Sequence, residues 1–391
     1  MKVKFFSKRL LLEFVIFAIL TLAFPADNVC RAGVRTEVKI PDIPGYVSLK
    51  CDFHMHTVFS DGGVWPSVRA EEAWREGLDA FAITDHIEYQ AHSEDIREDH
   101  NRSYEIALAG AEALGLKIIK GAEISREMPP GHINAIFLKD ADALDTKEWR
   151  DAVKAAVEQE AFVFWDHPGW RGQQPEGKSI WYAEHTELYE KQWLHGIEIV
   201  NQGEYYPLAH KWCLEKKLTM LGNSDVHNPT NLDYEFHNGE HRAMTVVLAK
   251  ERSKEAIKEA LLARRTVVYW KNILIGEEKY LKPIFNESVE IINPDVTIKG
   301  KGTVNIQIRN VSEIDFELAT EGLGDGILVP PQMTLYGGKT ILFRIKGKSE
   351  SISGRKKIRI PYKVKNLLIA PEEGLPVELI INVNFIPVEE K

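Results

Sequence analysis

An α/β barrel followed by a small all-β sandwich is the fold the sequence predicts, on three observations. Between residues 47 and 270, short apolar stretches alternate with stretches of helical periodicity. After about residue 286 the apolar pattern changes to period two. All 13 histidines fall between His54 and His241, and all nine tryptophans between Trp65 and Trp270, so chemistry and aromatic bulk belong to the first region. Strands separated by helices imply parallel βα units, and roughly seven or eight of them imply a barrel. At 391 residues the chain exceeds the size at which single cores stop growing, which suits one large and one smaller domain.

Taken in order, Lys2, Lys4, Lys8 and Arg9 precede an apolar run from Phe14 to Phe24, the arrangement of a secretory signal peptide. Residues 1–32 are therefore expected to be removed on export to the periplasm or the medium, with Ala26 and Ala32 as candidate cleavage positions and no stable membrane insertion afterwards. The barrel is expected over 33–285. Its strands are LKCDFHMH, DAFAITDH, KIIKGAE, HINAIFL, AFVFWDH, GIEIVN, LTMLGNSDVH and TVVYW, with helices at 67–77, 101–115, 147–159, 180–193, 207–216 and 252–263. One interval breaks the rule. Only eight residues separate Glu123 from His132, too few for a parallel crossover, so HINAIFL should run antiparallel to KIIKGAE and distort the barrel there.

Over 286–391, Val304/Ile306/Ile308, Ile341/Phe343/Ile345, Ile358/Ile360/Tyr362/Val364 and Leu379/Ile381/Val383/Phe385 alternate with mostly polar neighbours. This pattern describes half-buried antiparallel strands in a sandwich of immunoglobulin-like size. It holds no titratable cluster that suggests chemistry, so the domain is expected to be dispensable for it.

The composition is that of an ordinary globular protein, 44% hydrophobic and 27% charged. Residues 1–32 hold five basic and two acidic side chains, so a whole-chain charge of −9 leaves about −12 on the remainder. Such a surface repels long polyanions and argues against tight nucleic-acid binding. Beyond Cys30 only Cys51 and Cys213 remain, which is no disulfide framework.

The strand ends carry the chemistry. In CDFHMHTVFSDG, an extended strand would project His54 and His56 to one face and Cys51, Phe53 and Met55 to the other, with Asp61 in the turn beyond. His86 ends TDH, Glu123 ends GAE, His132 opens the returning strand, His167 lies in DHP, and Asp225 and His227 lie in NSDVH. In a βα barrel these ends meet at one mouth. So many ligands exceed what one ion can use and suit two or three divalent cations. Imidazole and carboxylate without thiolate fit manganese, zinc or iron. Arg126 and Arg171 are the nearest cations in sequence for a phosphate, Asn201 is a further candidate substrate contact, and Asp85 and Asp166 are candidates to orient neighbouring groups. Among the aromatics of 168–195, Trp170, Trp181, Tyr182 and Trp193 either wall the mouth or pack the helices.

In sequence, HMHTVFSDG, AITDH, GAEIS, the GH-initiated strand, DHP and GNSDVH resemble the successive motifs of the PHP (polymerase and histidinol phosphatase) superfamily over roughly residues 50 to 270. With its N-terminal segment and appended β domain, the chain is most similar to exported bacterial PHP phosphodiesterases. The resemblance implies a distorted (β/α)7 barrel with a trinuclear centre. One ion would be held by His54, His56, Glu123 and Asp225, a second by Glu123, His132 and His167, and a third by Asp61, His86 and His227. Glu123, Asp225 and His227 are the residues assigned to catalysis. The expected activity is hydrolysis of a small phosphodiester, or a monoester, by a metal-activated hydroxide. A metal-dependent amide or ester hydrolase and a non-catalytic metal-binding module are the alternatives.

Overall fold

Runs of β-branched and aromatic residues between turn-forming segments make the strands. The computed structural model describes residues 33–391 except 98, 321, 323, 324, 390 and 391; the expected signal peptide lies outside the described residues. The barrel strands are β1 (Val47–Asp52), β2 (Ala80–Ile83), β3 (Lys117–Ser125), β4 (His132–Ile136), β5 (Phe162–Trp165), β6 (Gly196–Asn201), the short β7 (Glu204–Tyr205), β8 (Thr219–Asn223), β9 (Met244–Ala249), β10 (Thr266–Trp270) and β11 (Ile273–Gly276). The helices are α1 (Pro66–Arg75), α2 (Arg102–Ala113), α3 (Trp149–Glu158), α4 (Ala183–Glu190), α5 (Pro207–Lys216), α6 (Thr230–Asp233), α7 (Lys254–Leu262) and α8 (Glu278–Ser288). Local signals start them: Pro66 and Pro207 sit in first turns, and Ser253 caps α7 by accepting from Ala256 N. Among the described residues no helix is long and apolar enough to cross a membrane.

β1, β2 and β3 are parallel neighbours, as are β5, β6 and β8. β4 is antiparallel to β3 with Ser125 opposite His132, so the return expected from the short interval is present. Inside, Leu49, Cys51 and Phe53 meet Ala80, Ala82, Ile119, Phe162, Phe164 and Leu221, and Ile257, Ala260 and Leu261 of α7 close the floor. Outside, Phe81 and Ile83 pack on Ala70 and Ala73 of α1 and Ala107 and Ala111 of α2, small residues that let helix and sheet approach.

Two expectations need correction. TVVYW is not a parallel unit: β10 runs antiparallel to β9, a strand the sequence reading did not assign, and β9 runs antiparallel to β1. Both are buried on either face and lack the alternation that marks a strand, and β9 follows the long 228–243 loop. Nor does simple alternation hold through His56. The β1 ladder stops at Asp52, Phe53 points into the barrel and Met55 into the outer layer, and residues 54–56 pair instead with the 225–226 segment through His56 N to Val226 O and Asp225 N to His54 O. Cys51 therefore lies inside the barrel, in the layer below the histidines, and Cys51 and Cys213 are both buried free thiols.

The barrel closes through side chains. Thr245 Oγ1 donates to the Gly222 carbonyl and accepts from its N–H, both at 2.9 Å, and Thr266 Oγ1 donates to Met220 O at 2.8 Å. A Cβ on Gly222 would stand 2.3 Å from Val268 Cγ1, so only glycine permits this approach.

After α8 come β12 (Val289–Ile291), β13 (Asp295–Lys299), β14 (Thr303–Asn310), β15 (Phe316–Thr320), β16 (Ile327–Leu328), β17 (Gln332–Leu335), β18 (Thr340–Gly347), β19 (Gly354–Ala370) and β20 (Glu373–Ile386). One sheet is β12-β14-β18-β16; β13, β20, β19, β15 and β17 make the other. Their inner faces bury Ile306, Phe343, Ile358, Tyr362, Ile381 and Phe385. β11 pairs in parallel with β19, Leu274 opposite Leu367 and Ile275 opposite Leu368, so barrel and sandwich share one continuous sheet.

Candidate metal centre

The strand ends deliver every expected ligand to one mouth. Just beyond β5 and β8, His167 (φ 27°) and Asp225 (φ 51°) both have left-handed backbones, which cost energy in non-glycine residues and turn their side chains inward. Asp61 is held close by Gly62, whose Cβ would lie 2.7 Å from the carbonyl carbon of His56 and from Thr57 N. Asp85 fixes the same turn, accepting from Thr57 N at 2.6 Å and from Ser60 Oγ and Thr57 Oγ1, each at 2.8 Å.

Glu123 lies at the centre, fully buried. Its Oε2 is 2.8 Å from His54 Nε2 and 3.3 Å from His56 Nε2, while its Oε1 is 2.5 Å from His132 Nδ1 and 3.2 Å from His86 Nδ1. Asp225 Oδ1 lies 3.2 Å from His54 Nε2 and 3.1 Å from His56 Nε2. Asp61 Oδ1 lies 3.4 Å from His86 Nε2 and 3.2 Å from His227 Nε2. The donor atoms fall into overlapping groups that could each hold a cation: His54/His56/Asp225, His54/Glu123/His167, His86/Glu123/His132 and His56/Asp61/His86/His227.

The donor chemistry fits metal. His54 Nδ1 donates to Glu198 Oε1 at 2.9 Å, so its Nε2 is turned toward Glu123 and Asp225. His227 Nδ1 likewise donates to the Asp225 carbonyl at 2.9 Å and leaves Nε2 for Asp61. One ring nitrogen tied to the protein and the other free for the centre is how metal-ligating histidines are oriented. His54 Nε2 also lies 3.1 Å from His56 Nε2, a separation that a cation or a proton between the two nitrogens satisfies. Asp61 Oδ1, Asp225 Oδ1 and His132 Nδ1 are buried close to these groups, yet their angles do not make well-formed hydrogen bonds among the described residues. Burial works against the charged form of Glu123, yet His86 and His132 hold its carboxyl well below the usual range. Asp225 is held low against burial by His54 and His56. Burial similarly opposes charge on His86, but Glu123 and Asp61 raise it to about 11. This is a buried site that demands cations.

The remaining candidates divide. Arg126 reaches Glu88 at 2.8 Å and the Thr146 carbonyl at 2.7 Å, and the Arg171 side chain is 69% exposed with Glu204 at 3.9 Å. Asn201 donates to Glu198 Oε2 at 2.8 Å and so supports a ligand's partner. Asp166 is buried 3.9 Å from His54 Nδ1, and burial pushes its carboxyl up. Trp170 stands beside His132 and His167, ring centroids 5.6 and 5.3 Å apart, and walls the mouth; Trp181 packs instead on Trp165, His185 and Trp212.

Three residues escaped the sequence reading. Glu198, in the middle of β6, accepts from His54, from His167 N and from Asn223 Nδ2. Arg69 of α1 is fully buried and donates to the carbonyls of His56, Val226, His227 and Asn228, gathering both ligand segments. Arg242 is fully buried between Asp52 and Glu76.

A distorted α/β barrel whose mouth gathers overlapping imidazole–carboxylate groups has the donor set of a metal-dependent hydrolase. The PHP-domain pattern matches residues 52–190 and an Ig-like domain pattern matches residues 289–380. A crystal structure from Bacteroides vulgatus, of a two-domain protein containing a predicted PHP-like metal-dependent phosphoesterase, is similar over 90% of this chain and 100% of its own, with 45% identity and a TM-score of 0.85. The chain belongs to the PHP family. An amidohydrolase from Chromobacterium violaceum is 17% identical over 46% of this chain and 88% of its own, with a TM-score of 0.33. Among curated proteins none matches.

Proposed function

We propose that the chain is a metal-dependent phosphoesterase acting on phosphodiesters, with monoesters as the nearest variant, at a centre of three divalent cations. The observation that carries this reading is Glu123, one oxygen of which faces His54 and His56 while the other faces His86 and His132, as a bridging carboxylate must. His54, His56, Asp225 and Glu123 would hold one ion, Glu123, His132 and His167 the second, and Asp61, His86 and His227 the third. Manganese, zinc or iron suits these donors. Such ions, when bound, lower the pKa of a water to near neutrality and neutralise phosphoryl oxygens. The chain's own part is to orient: Glu198 sets the His54 ring, Arg69 holds the carbonyls of both ligand segments, and Trp170 walls the mouth. The kinship with the Bacteroides vulgatus protein supports the reaction class. Export, inferred from the basic and apolar character of the N-terminal segment, belongs to the same proposal.

The test is a panel of chromogenic phosphodiesters, phosphomonoesters and amides on full-length protein, stripped and then reloaded with manganese or zinc. Turnover of the phosphodiester that returns with metal is expected. Amide turnover without phosphoester turnover would assign the centre to C–N hydrolysis, and full metal loading without any turnover would leave a binding module.

A further inference from the structure

A cavity of about 920 Å³ opens from Asp225 and His227 and runs between the barrel mouth and the β domain. Its far wall includes Glu313 and Asp315, from the loop between β14 and β15. That loop is fixed to the barrel: Asp315 N donates to Asn272 Oδ1 at 2.9 Å, and Asn272 Nδ2 donates back to Asp315 O at 3.1 Å. Glu313 Oε2 accepts from Lys39 N at 2.8 Å and Asp315 Oδ1 from Gly337 N at 2.7 Å, so each carboxylate is held in place by one oxygen. The β domain thus contributes a wall to a groove that begins at Asp225 and His227.

Resting on the phosphoesterase reading, we propose that this groove is the leaving-group subsite and that it takes an uncharged polyhydroxyl alcohol, a sugar or polyol esterified to the phosphate. The lining favours hydroxyls. Trp270 and Tyr234 provide aromatic surface. A hydroxyl can donate to any of the carboxylates that line the groove, Asp233, Glu240, Glu313 and Asp315, while the carbon face of a polyol or sugar packs on the aromatic rings. Asp233, Glu240, Glu313 and Asp315 against Lys271 disfavour an alcohol with a second anionic group. In the hydrolysis, water's hydroxyl joins phosphorus, the bond from phosphorus to the alcohol oxygen breaks, and that oxygen takes the remaining proton.

Binding and turnover test this separately. On full-length, manganese-loaded protein, glycerol 3-phosphate should bind about tenfold tighter than either inorganic phosphate or 3-phosphoglycerate, by calorimetry. The double variant Glu313→Gln/Asp315→Asn should keep its metal content and lose discrimination against 3-phosphoglycerate. Trp270→Ala should lose the advantage of glycerol 3-phosphate over phosphate. In kinetics, the methyl phosphodiester of glucose should exceed ethyl methyl phosphate in kcat/KM in the wild type, with the difference reduced in both variants. Equal binding of the three probes, or equal losses on every probe in the variants, would overturn the subsite. Selective binding without turnover of any ester would instead overturn the phosphoesterase reading and leave the subsite standing.

Discussion

Glu123 and Asp61 are both ligands in this account, but they touch different numbers of neighbours. Among the described residues Glu123 lies within 3.3 Å of four imidazoles through two oxygens, and Asp61 within 3.4 Å of two, His86 and His227. Glu123→Gln should therefore lower metal content by more than one equivalent and remove nearly all turnover, whereas Asp61→Asn should lose about one equivalent and keep part of the activity. Metal analysis beside kinetics checks this, and equal losses from both variants would contradict it. His185 concerns stability. Its ring stacks on Trp165 at 3.7 Å, donates to Pro130 O and accepts from Tyr182 N, and burial lowers its pKa to about 4. The unfolded imidazole takes a proton below about pH 6.5, which the folded ring refuses. Its contribution is therefore complete above that pH and is lost toward pH 4, at about 1.4 kcal/mol per pH unit. Denaturant titration of metal-free protein should give a shallower acid slope in His185→Gln than in the wild type; identical slopes would contradict the assignment.

At the scale of elements, the site is built where strands end, and that is why so much of it was legible. HMH, TDH, GAE and DHP fall at strand ends or starts, and NSDVH follows β8, so motif and position pointed to one mouth. The antiparallel return of β4 was readable because eight residues cannot span a crossover. What stayed hidden depends on closure. Glu198 sits inside an apolar strand, and only the finished barrel puts His54 beside it. Arg69 and Arg242 read as surface cations, the default for arginine, until the fold surrounds them with carbonyls and carboxylates. Arg242 bonds Asp52 at 2.9 Å and Glu76 through Nε at 2.7 Å, joining the end of β1 to the end of α1. Arg242→Ala leaves buried Asp52 without its guanidinium and Glu76 with only Arg75 at 3.5 Å, and should cost about 3–5 kcal/mol. A change under about 1 kcal/mol in denaturant unfolding would mean that water replaces the guanidinium.

For the molecule as a whole, one of the two sheets of the sandwich is continuous with the sheet that forms the barrel. The alternating pattern revealed its strands, but no local signal reports that β11 pairs with β19 or that Asn366 Nδ2 donates to both Asn272 O and Asp315 O at 2.7 Å. A chain ending at residue 285 would expose the β11 edge and the apolar side of α8, including Leu281, Ile284 and Phe285, which are buried here. It should be recovered as aggregate; a soluble, monomeric and fully metal-loaded truncation would contradict this. The central claim is that one mouth holds a polynuclear metal centre. Anomalous diffraction from crystals of the full-length protein soaked in manganese tests it most directly. The account predicts three peaks, two of them adjoining opposite oxygens of Glu123 and the third among Asp61, His86 and His227. A single peak, or none in contact with Glu123, would contradict it.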